Sequence, residues 1–164
     1  MFLYFFDLDD TICNTKSMVN AILKEHSLEE IYQNFNPGER FKSIEELYTF
    51  VEDQIYIKGY HNIEILENSI FKILRTLLEH QKHEVYYITA RYSRHRDHTI
   101  QWLKKHDLWI DEDKLIMDTH NIKGFTVNNL LKERNKQFAF FFDDLASNHE
   151  EAAAYKNIIS CVPY

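Results

Sequence analysis

Short apolar runs recur along the chain, and each of them ends in polar residues. The strongest runs are Phe2–Phe6, Val85–Ile88 and Phe138–Phe142. Apolar runs of this length without alternation are typical of strands buried on both faces, as in the middle of a parallel sheet. Two weaker runs, at 114–117 and 158–162, predict two more strands. The pattern therefore predicts five strands.

Helical spacing of apolar residues fills the segments between these runs. Alternating strands and helices predict a parallel sheet with right-handed crossovers. The segment between the first two strands is far longer than the dozen or so residues that a plain crossover needs. It contains an Asn-Pro-Gly breaker at 36–38 and a capping-box pattern at Ser43–Glu46. We predict a single domain over 1–164, with a small helical cap insertion at 13–62.

Two further helices are predicted with approximate boundaries. A stripe formed by Ile63, Leu66 and Ile70 predicts a helix that begins near Ile63. Ser147 and Glu150 form a capping-box pattern, which predicts a helix that runs to about residue 156.

Composition places the chain among globular proteins. Of its 164 residues, 45% are hydrophobic and 27% are charged, and the net charge of −7 argues against a general nucleic-acid binder. Cys13 and Cys161 provide no disulfide framework. No apolar stretch approaches the length of a membrane span, and Asp7 interrupts the first run too early for a signal peptide. We expect a cytoplasmic protein.

Three of the predicted strands end in residues that suit one task. Asp7 and Asp9 follow the first run, Thr89 follows the second, and Asp143 and Asp144 follow the fourth. If the first strand is central, these groups meet in one crevice at the carboxyl ends of the strands. Crowded carboxylates repel one another, so the crevice needs a cation, and hard oxygen ligands suit Mg²⁺.

A cation, a hydroxyl, a lysine and two carboxylates together suit phosphoryl transfer. One aspartate can attack phosphorus to form an aspartyl-phosphate, while another moves the proton. The sequence therefore predicts a magnesium-dependent enzyme that acts on a phosphate ester.

Three motifs strengthen this prediction. Phe5–Ile12 resembles the first motif, DxDxT after an apolar strand, of the haloacid dehalogenase-like (HAD) superfamily, most of whose members are Mg²⁺-dependent phosphatases. Tyr87–Arg91 is similar to the second motif of that superfamily, and Phe141–Asp144 to the double-Asp form of its fourth. The resemblance implies a Rossmann-like three-layer α/β/α fold with strand order 5-4-1-2-3.

The resemblance also implies a role for each matched position. Asp7 is the expected nucleophile, Asp9 the general acid and base, and Thr89 a ligand of the phosphoryl oxygens. The expected Mg²⁺ ligands are the carboxylates of Asp7 and Asp143 and the backbone carbonyl of Asp9, with Asp144 assisting.

Two phosphate-binding candidates have competing interpretations. Lys123 precedes the helix that leads into the fourth strand, in a Lys-Gly context, and is preferred as the third-motif lysine over its rival Lys132. Arg91 is expected either to contact the phosphate or to form a local ion pair.

The expected function is hydrolysis of a phosphomonoester, with a nucleotide or another small phosphorylated metabolite as substrate. The Ile-Thr-Ala-Arg form of the second motif resembles some nucleotidases and polynucleotide phosphatases, so a polynucleotide 3′-phosphatase is an alternative, against which the acidic net charge argues. A catalytically silent binding module with the same fold is the other alternative. The intact Asp7, Asp9, Thr89 and Asp143 argue against it. The sequence predicts no oligomeric state.

Overall fold

The protein is built on a parallel sheet of five strands, as seen in a computed structural model that describes residues 2–38, 40–80 and 82–162. The strands are β1 (Leu3–Phe6), β2 (Glu84–Ile88), β3 (Leu115–Ile116), β4 (Ala139–Phe142) and β5 (Ile158–Cys161). Their order across the sheet is β3-β2-β1-β4-β5. The order 5-4-1-2-3 is the same arrangement counted from the other edge, so the predicted fold class and strand order are confirmed.

Seven α-helices are found among the described residues. They are α1 (Thr15–Glu25), α2 (Glu29–Gln33), α3 (Ile44–Lys58), α4 (Ser69–His80), α5 (Arg96–Lys105), α6 (Lys123–Glu133) and α7 (Ala146–Ala152). The first three lie inside the segment predicted as a cap, and the division of the chain at 13–62 stays a prediction. No helix of the described residues is long and apolar enough to cross a bilayer.

The three central strands end level with one another. Phe6 of β1 is paired with Tyr87 of β2 on one side and with Phe142 of β4 on the other. The rings of Phe6 and Phe142 stack with their centroids 4.5 Å apart. Because the register is even, the residues that follow these strands emerge at one edge of the sheet.

Hydrophobic cores lie on both faces of the sheet. On one face, Phe5 and Phe141 pack with Val127 and Leu131 of α6. On the other face, Phe6 belongs to a larger cluster that continues without a break into helices α1 and α3. Helices α1 and α3 therefore share the main core of the protein, and substitutions there are expected to affect global stability.

Two of the predicted helix boundaries are wrong. Helix α4 begins at Ser69, because the Asn68 carboxamide accepts a hydrogen bond from Phe71 N at 2.8 Å and because Ile65 pairs with Cys13 in extended conformation. Helix α7 begins at Ala146 and ends at Ala152, with Leu145 as its N-cap and no side-chain cap, so Ser147 does not cap it.

The predicted cap of α3 is present. The Ser43 hydroxyl accepts a hydrogen bond from Glu46 N at 3.3 Å. The Glu46 carboxylate accepts a hydrogen bond from the backbone N–H of Lys42 at 2.6 Å, one residue earlier than the standard capping box.

Candidate active site

Backbone hydrogen bonds fix the residues that directly follow the strands. Asp7 N donates to Phe142 O at 2.9 Å, and Thr89 N donates to Ile116 O at 2.9 Å. The sheet ladder therefore continues for one residue beyond β1 and β2. This extension positions Asp7 and Thr89 on rigid backbone at the same edge as Asp143.

Lys123 joins two of the predicted carboxylates. Its Nζ lies 2.7 Å from Asp7 Oδ1 and 2.7 Å from Asp143 Oδ2, and its side chain is only 3% exposed. Lys132, the rival candidate, is exposed on the same helix. Of the two lysines, the structure brings only Lys123 into the site.

The glycine after Lys123 lets α6 approach α7 closely. A Cβ atom at Gly124 would lie 2.8 Å from the Ala152 Cα, which is closer than such atoms come. Gly124 N also donates to the Glu151 carboxylate at 2.5 Å. The Lys-Gly pair thus fixes the position of the first turn of α6 against α7. This position determines how far the Lys123 side chain extends towards Asp7 and Asp143.

Asp9 is held by Arg91. The Arg91 Nε lies 2.9 Å from Asp9 Oδ2, its Nη2 lies 2.7 Å from Oδ1, and the Thr15 hydroxyl donates to Oδ1 at 2.5 Å. Arg91 Nη1 donates to Thr99 Oγ1 at 3.1 Å, and the guanidinium lies 4.4 Å from the centre of the Tyr60 ring. Because each of its three nitrogens already has a partner, the structure favours the ion-pair interpretation of Arg91 over a phosphate contact.

Two threonine hydroxyls lie among these carboxylates. Thr89 Oγ1 accepts from Arg91 N at 3.2 Å and donates to Asp9 Oδ2 at 3.4 Å. Thr11 Oγ1 lies 3.4 Å from Asp7 Oδ2 and 3.5 Å from an oxygen of Asp144. Each hydroxyl can turn its single proton to a new acceptor at this site.

Asp143 is fully buried and surrounded by donors. Besides Lys123, its carboxylate accepts from Leu145 N at 2.9 Å and from the Asn148 amide at 2.9 and 3.0 Å. These bonds offset the desolvation of the carboxylate. From the sequence, Asn148 is better interpreted as a cap residue than as a Mg²⁺ ligand, and it lies close enough to help order Asp144. The structure instead places its amide on Asp143.

The carboxylates can hold a divalent cation. One oxygen each from Asp7, Asp143 and Asp144 lies within 4.8 Å of the others. All of these ligands are hard oxygens from two neighbouring strand ends, a donor set that fits Mg²⁺. The Asp9 carboxylate lies outside this group and is paired with Arg91. The ligand set predicted from the sequence stays a prediction.

Burial and charge move the pKa values of neighbouring carboxyls in opposite directions. Burial, with added repulsion from Asp143 and Asp9, raises the pKa of Asp7 to about 8 despite the opposing Lys123. Burial acts in the same sense on Asp9, but the ion pair with Arg91 outweighs it and lowers the pKa of Asp9. Asp9 is therefore ionised at neutral pH, whereas Asp7 needs additional positive charge to ionise fully.

A cavity of about 210 Å³ lies over these groups, and the loop after β3 forms part of its wall. Asp118 and Asn121 of this loop have positive φ angles of 59° and 57°, a conformation that Asp and Asn tolerate. They flank Thr119, whose hydroxyl is buried and has no partner among the described residues, and His120. These residues were missed, although they follow a predicted strand as the other site residues do.

No protein-family model matches the chain, and no curated protein matches it in sequence. Solved structures do match its fold. A HAD hydrolase of family IA, variant 3, from Entamoeba histolytica is 16% identical over 98% of this chain and 82% of its own, with a TM-score of 0.64. A hydrolase from Streptococcus pneumoniae is 12% identical over 98% and 91%, with a TM-score of 0.60.

A third structure was solved with ligands. It is a HAD family enzyme from Bacteroides thetaiotaomicron in complex with magnesium and inorganic phosphate, 14% identical over 100% of this chain and 94% of its own, with a TM-score of 0.54. At these identities the likeness shows the fold. The chain has the fold of the HAD hydrolases, as its three motifs predicted.

Proposed function

We propose that the protein is a Mg²⁺-dependent phosphomonoester hydrolase that works through an aspartyl-phosphate on Asp7. One observation carries the proposal: buried Lys123 bridges Asp7 and Asp143, and beside them a third aspartate, Asp9, is held by Arg91. A nucleophile, a proton carrier and a set of positive groups are the parts that phosphoryl transfer requires.

Substrate binding uses groups that still have free donor capacity. Lys123 has three ammonium protons and two carboxylate partners, so one proton remains for a phosphoryl oxygen. The Thr89 hydroxyl can turn from Asp9 to another phosphoryl oxygen. Mg²⁺ held by Asp7, Asp143, Asp144 and the Asp9 carbonyl would neutralise charge on the phosphoryl group when bound.

The reaction proceeds in two displacements. In the first, an Asp7 carboxylate oxygen attacks phosphorus, the bond to the ester oxygen breaks, and the leaving alcohol takes a proton from Asp9. In the second, water attacks the phosphorus of the aspartyl-phosphate, Asp9 accepts the proton from water, and the bond between Asp7 and phosphorus breaks. The products are the alcohol, inorganic phosphate and the original enzyme.

The protonation of Asp9 is coupled to substrate binding. Without substrate, Arg91 keeps Asp9 ionised, which is the form needed to activate water. A phosphate dianion placed beside Asp9 raises the pKa of its carboxyl through like-charge repulsion. When the negatively charged substrate binds, Asp9 therefore takes up a proton. The first displacement later transfers this proton to the leaving alcohol.

A panel of phosphomonoesters, beginning with a generic aryl phosphate, tests the proposal. We expect Mg²⁺-dependent release of phosphate that EDTA stops and that Asp7→Asn abolishes. Asp107→Asn is the matched control, because Asp107 is exposed, lies outside the pocket and has a positive φ of 56° that Asn also tolerates. Turnover that survives Asp7→Asn or chelation would contradict the mechanism, and a complete lack of turnover would favour a silent binding module.

A further inference from the structure

A second cavity adjoins the catalytic pocket and has a different lining. It has a volume of about 440 Å³, and its aromatic lining consists of Tyr32, Tyr48, Tyr92 and His120. His120 also lines the catalytic pocket, so the two cavities adjoin at this residue. We call the second cavity the ring cleft.

The four rings form two pairs from different parts of the chain. Tyr32 of α2 and Tyr48 of α3 meet edge to face, with centroids 5.6 Å apart. Tyr92 follows β2 and His120 follows β3, and their centroids are 4.9 Å apart. Helices of the segment between β1 and α4 and loops at the carboxyl edge of the sheet thus contribute one pair each.

Two of these rings are nearly half exposed. Tyr48 is 48% exposed and Tyr92 is 45% exposed, although both lie in a concave site. Exposed aromatic rings that converge on a cavity are typical of a ligand site rather than of scattered surface packing.

The sizes of the two cavities suit two parts of one substrate. The catalytic pocket of about 210 Å³ accommodates a phosphoryl group with its ion. The ring cleft of about 440 Å³ falls in the usual range for small-molecule sites. The two adjoining cavities therefore have room for the phosphoryl group and the alcohol of one phosphomonoester.

Negative charge in the ring cleft disfavours additional phosphates. Glu45 and Glu52 line it, and Glu52 is already paired with Arg94 and His95 at 3.0 Å each. Glu45 forms no ion pair within the described part of the chain. Carboxylates repel di- and triphosphates and polynucleotide backbones, but they accept hydrogen bonds from hydroxyl and amino groups.

From these observations we infer that the ring cleft binds the ribose and base of a nucleoside monophosphate, with the base stacked on the tyrosines and polar groups facing Glu45 and Thr49. The inference rests on the proposed function, since the phosphate must sit at Asp7. It names the substrate class of that site.

Steady-state kinetics on matched substrates tests the inference. Nucleoside 5′-monophosphates and ribose 5-phosphate share the reacting phosphate and the sugar and differ in the base. We expect the wild-type enzyme to prefer nucleotides by about tenfold or more in kcat/KM, mainly through KM, as expected from the stacking of one base.

Tyr48→Leu removes one ring of the cleft. It should lower kcat/KM for nucleotides by about tenfold more than kcat/KM for ribose 5-phosphate. Tyr56→Leu is the matched control, because Tyr56 lies on the same helix at 46% exposure and its ring stacks on His98 outside the cleft. If Tyr48→Leu fails to fold, two measurements replace it. They are the preference of the wild-type enzyme for nucleotides over ribose 5-phosphate and the change of that preference in Tyr92→Leu.

The possible failures can be told apart. Equal turnover of ribose 5-phosphate and nucleotides, or an equal loss on both substrates in Tyr48→Leu, would overturn the assignment of the ring cleft and leave the phosphatase standing. A complete lack of Asp7-dependent turnover on any phosphoester would instead overturn the proposed function itself.

Discussion

The catalytic pocket and the ring cleft meet at His120, but their side chains differ in chemistry and in burial. The pocket consists of carboxylates, a lysine and hydroxyls that follow strands, and Asp7, Lys123 and Asp143 are all buried in direct contact. The ring cleft consists of partly exposed rings from helices and loops, and two of its tyrosines, Tyr32 and Tyr48, contact each other edge to face.

This difference matches two tasks. Chemistry on phosphorus needs charges held to within a fraction of an ångström, and a sheet edge provides that rigidity. Discrimination between the alcohol groups of different substrates needs a broad apolar surface. Exposed aromatic rings provide such a surface without holding each substrate atom at a fixed distance. We therefore expect substitutions in the pocket to change kcat for every substrate, and substitutions in the cleft to change the preference among substrates.

Asp9→Asn should have the largest effect of the substitutions considered next. Loss of the proton carrier is expected to lower kcat by about 10²- to 10⁴-fold. Rates with a nucleotide and with ribose 5-phosphate should fall by the same factor. The neighbouring Asp10→Asn should lose much less, because an amide oxygen can still accept the hydrogen bond from Lys16 N that Asp10 accepts at 2.7 Å. A loss of kcat with only one of the two substrates would show that the catalytic pocket also discriminates between substrates.

Arg91→Lys tests the residue that positions Asp9, since Arg91 forms an ion pair with Asp9 and lies over the Tyr60 ring. A lysine cannot form the paired contact, so Asp9 should be misplaced and kcat should fall by about 10- to 100-fold with little change in KM. Arg96→Lys is the control, because Arg96 pairs with Glu112 outside both cavities. A rise in KM without a loss of kcat would restore the interpretation of Arg91 as a phosphate ligand.

Thr119→Val should separate stability from activity. The buried hydroxyl of Thr119 lacks a partner among the described residues, so its removal should raise the free energy of unfolding by about 1 kcal/mol. If the hydroxyl meets the substrate, kcat/KM should fall by about tenfold. Thr99→Val should have the opposite effect on stability, because Thr99 bonds both Arg91 and the His95 carbonyl. Thermal unfolding without substrate measures both changes, and a destabilised Thr119→Val would contradict the account.

Metal-free stability should depend on pH through Asp7. Its pKa rises to about 8 on folding, so the native state binds a proton that the unfolded state has already lost. This contribution is present at acid pH and is lost as the pH rises towards 8, by at most about 1.4 kcal/mol per pH unit. In EDTA, wild type should therefore lose stability relative to Asp7→Asn between about pH 5 and pH 8. Mg²⁺ should stabilise wild type more at pH 8 than at pH 6. A pH-independent difference would mean that Asp7 is ionised without metal.

Much of the pocket was predictable because each feature is local in sequence. An apolar run followed at once by Asp7, or by Asp143, specifies both a buried strand and the group at its end. The start of α4 was predicted wrongly because the apolar stripe continues upstream of the helix, where Ile65 pairs with Cys13 instead.

The ring cleft could not be predicted for a physical reason. Tyr32, Tyr48 and Tyr92 are separated by long stretches of sequence, and they converge only because α2 and α3 fold over the loops after β2 and β3. Read alone, each tyrosine looks like an ordinary packing residue on an amphipathic helix or a loop. The unpartnered hydroxyl of Thr119 is equally a property of the fold, since no local pattern shows which donors will reach it.

Chemical trapping of the intermediate tests the central claim most directly. Borohydride reduces an acyl phosphate to an alcohol, so quenching the enzyme during turnover with Mg²⁺ and substrate should convert Asp7 to homoserine. Peptide mass spectrometry should find this change at Asp7 alone, and only when both metal and substrate are present. Reduction at Asp9 or Asp143, or ongoing turnover with no trapped aspartate, would contradict a mechanism in which Asp7 carries the phosphoryl group.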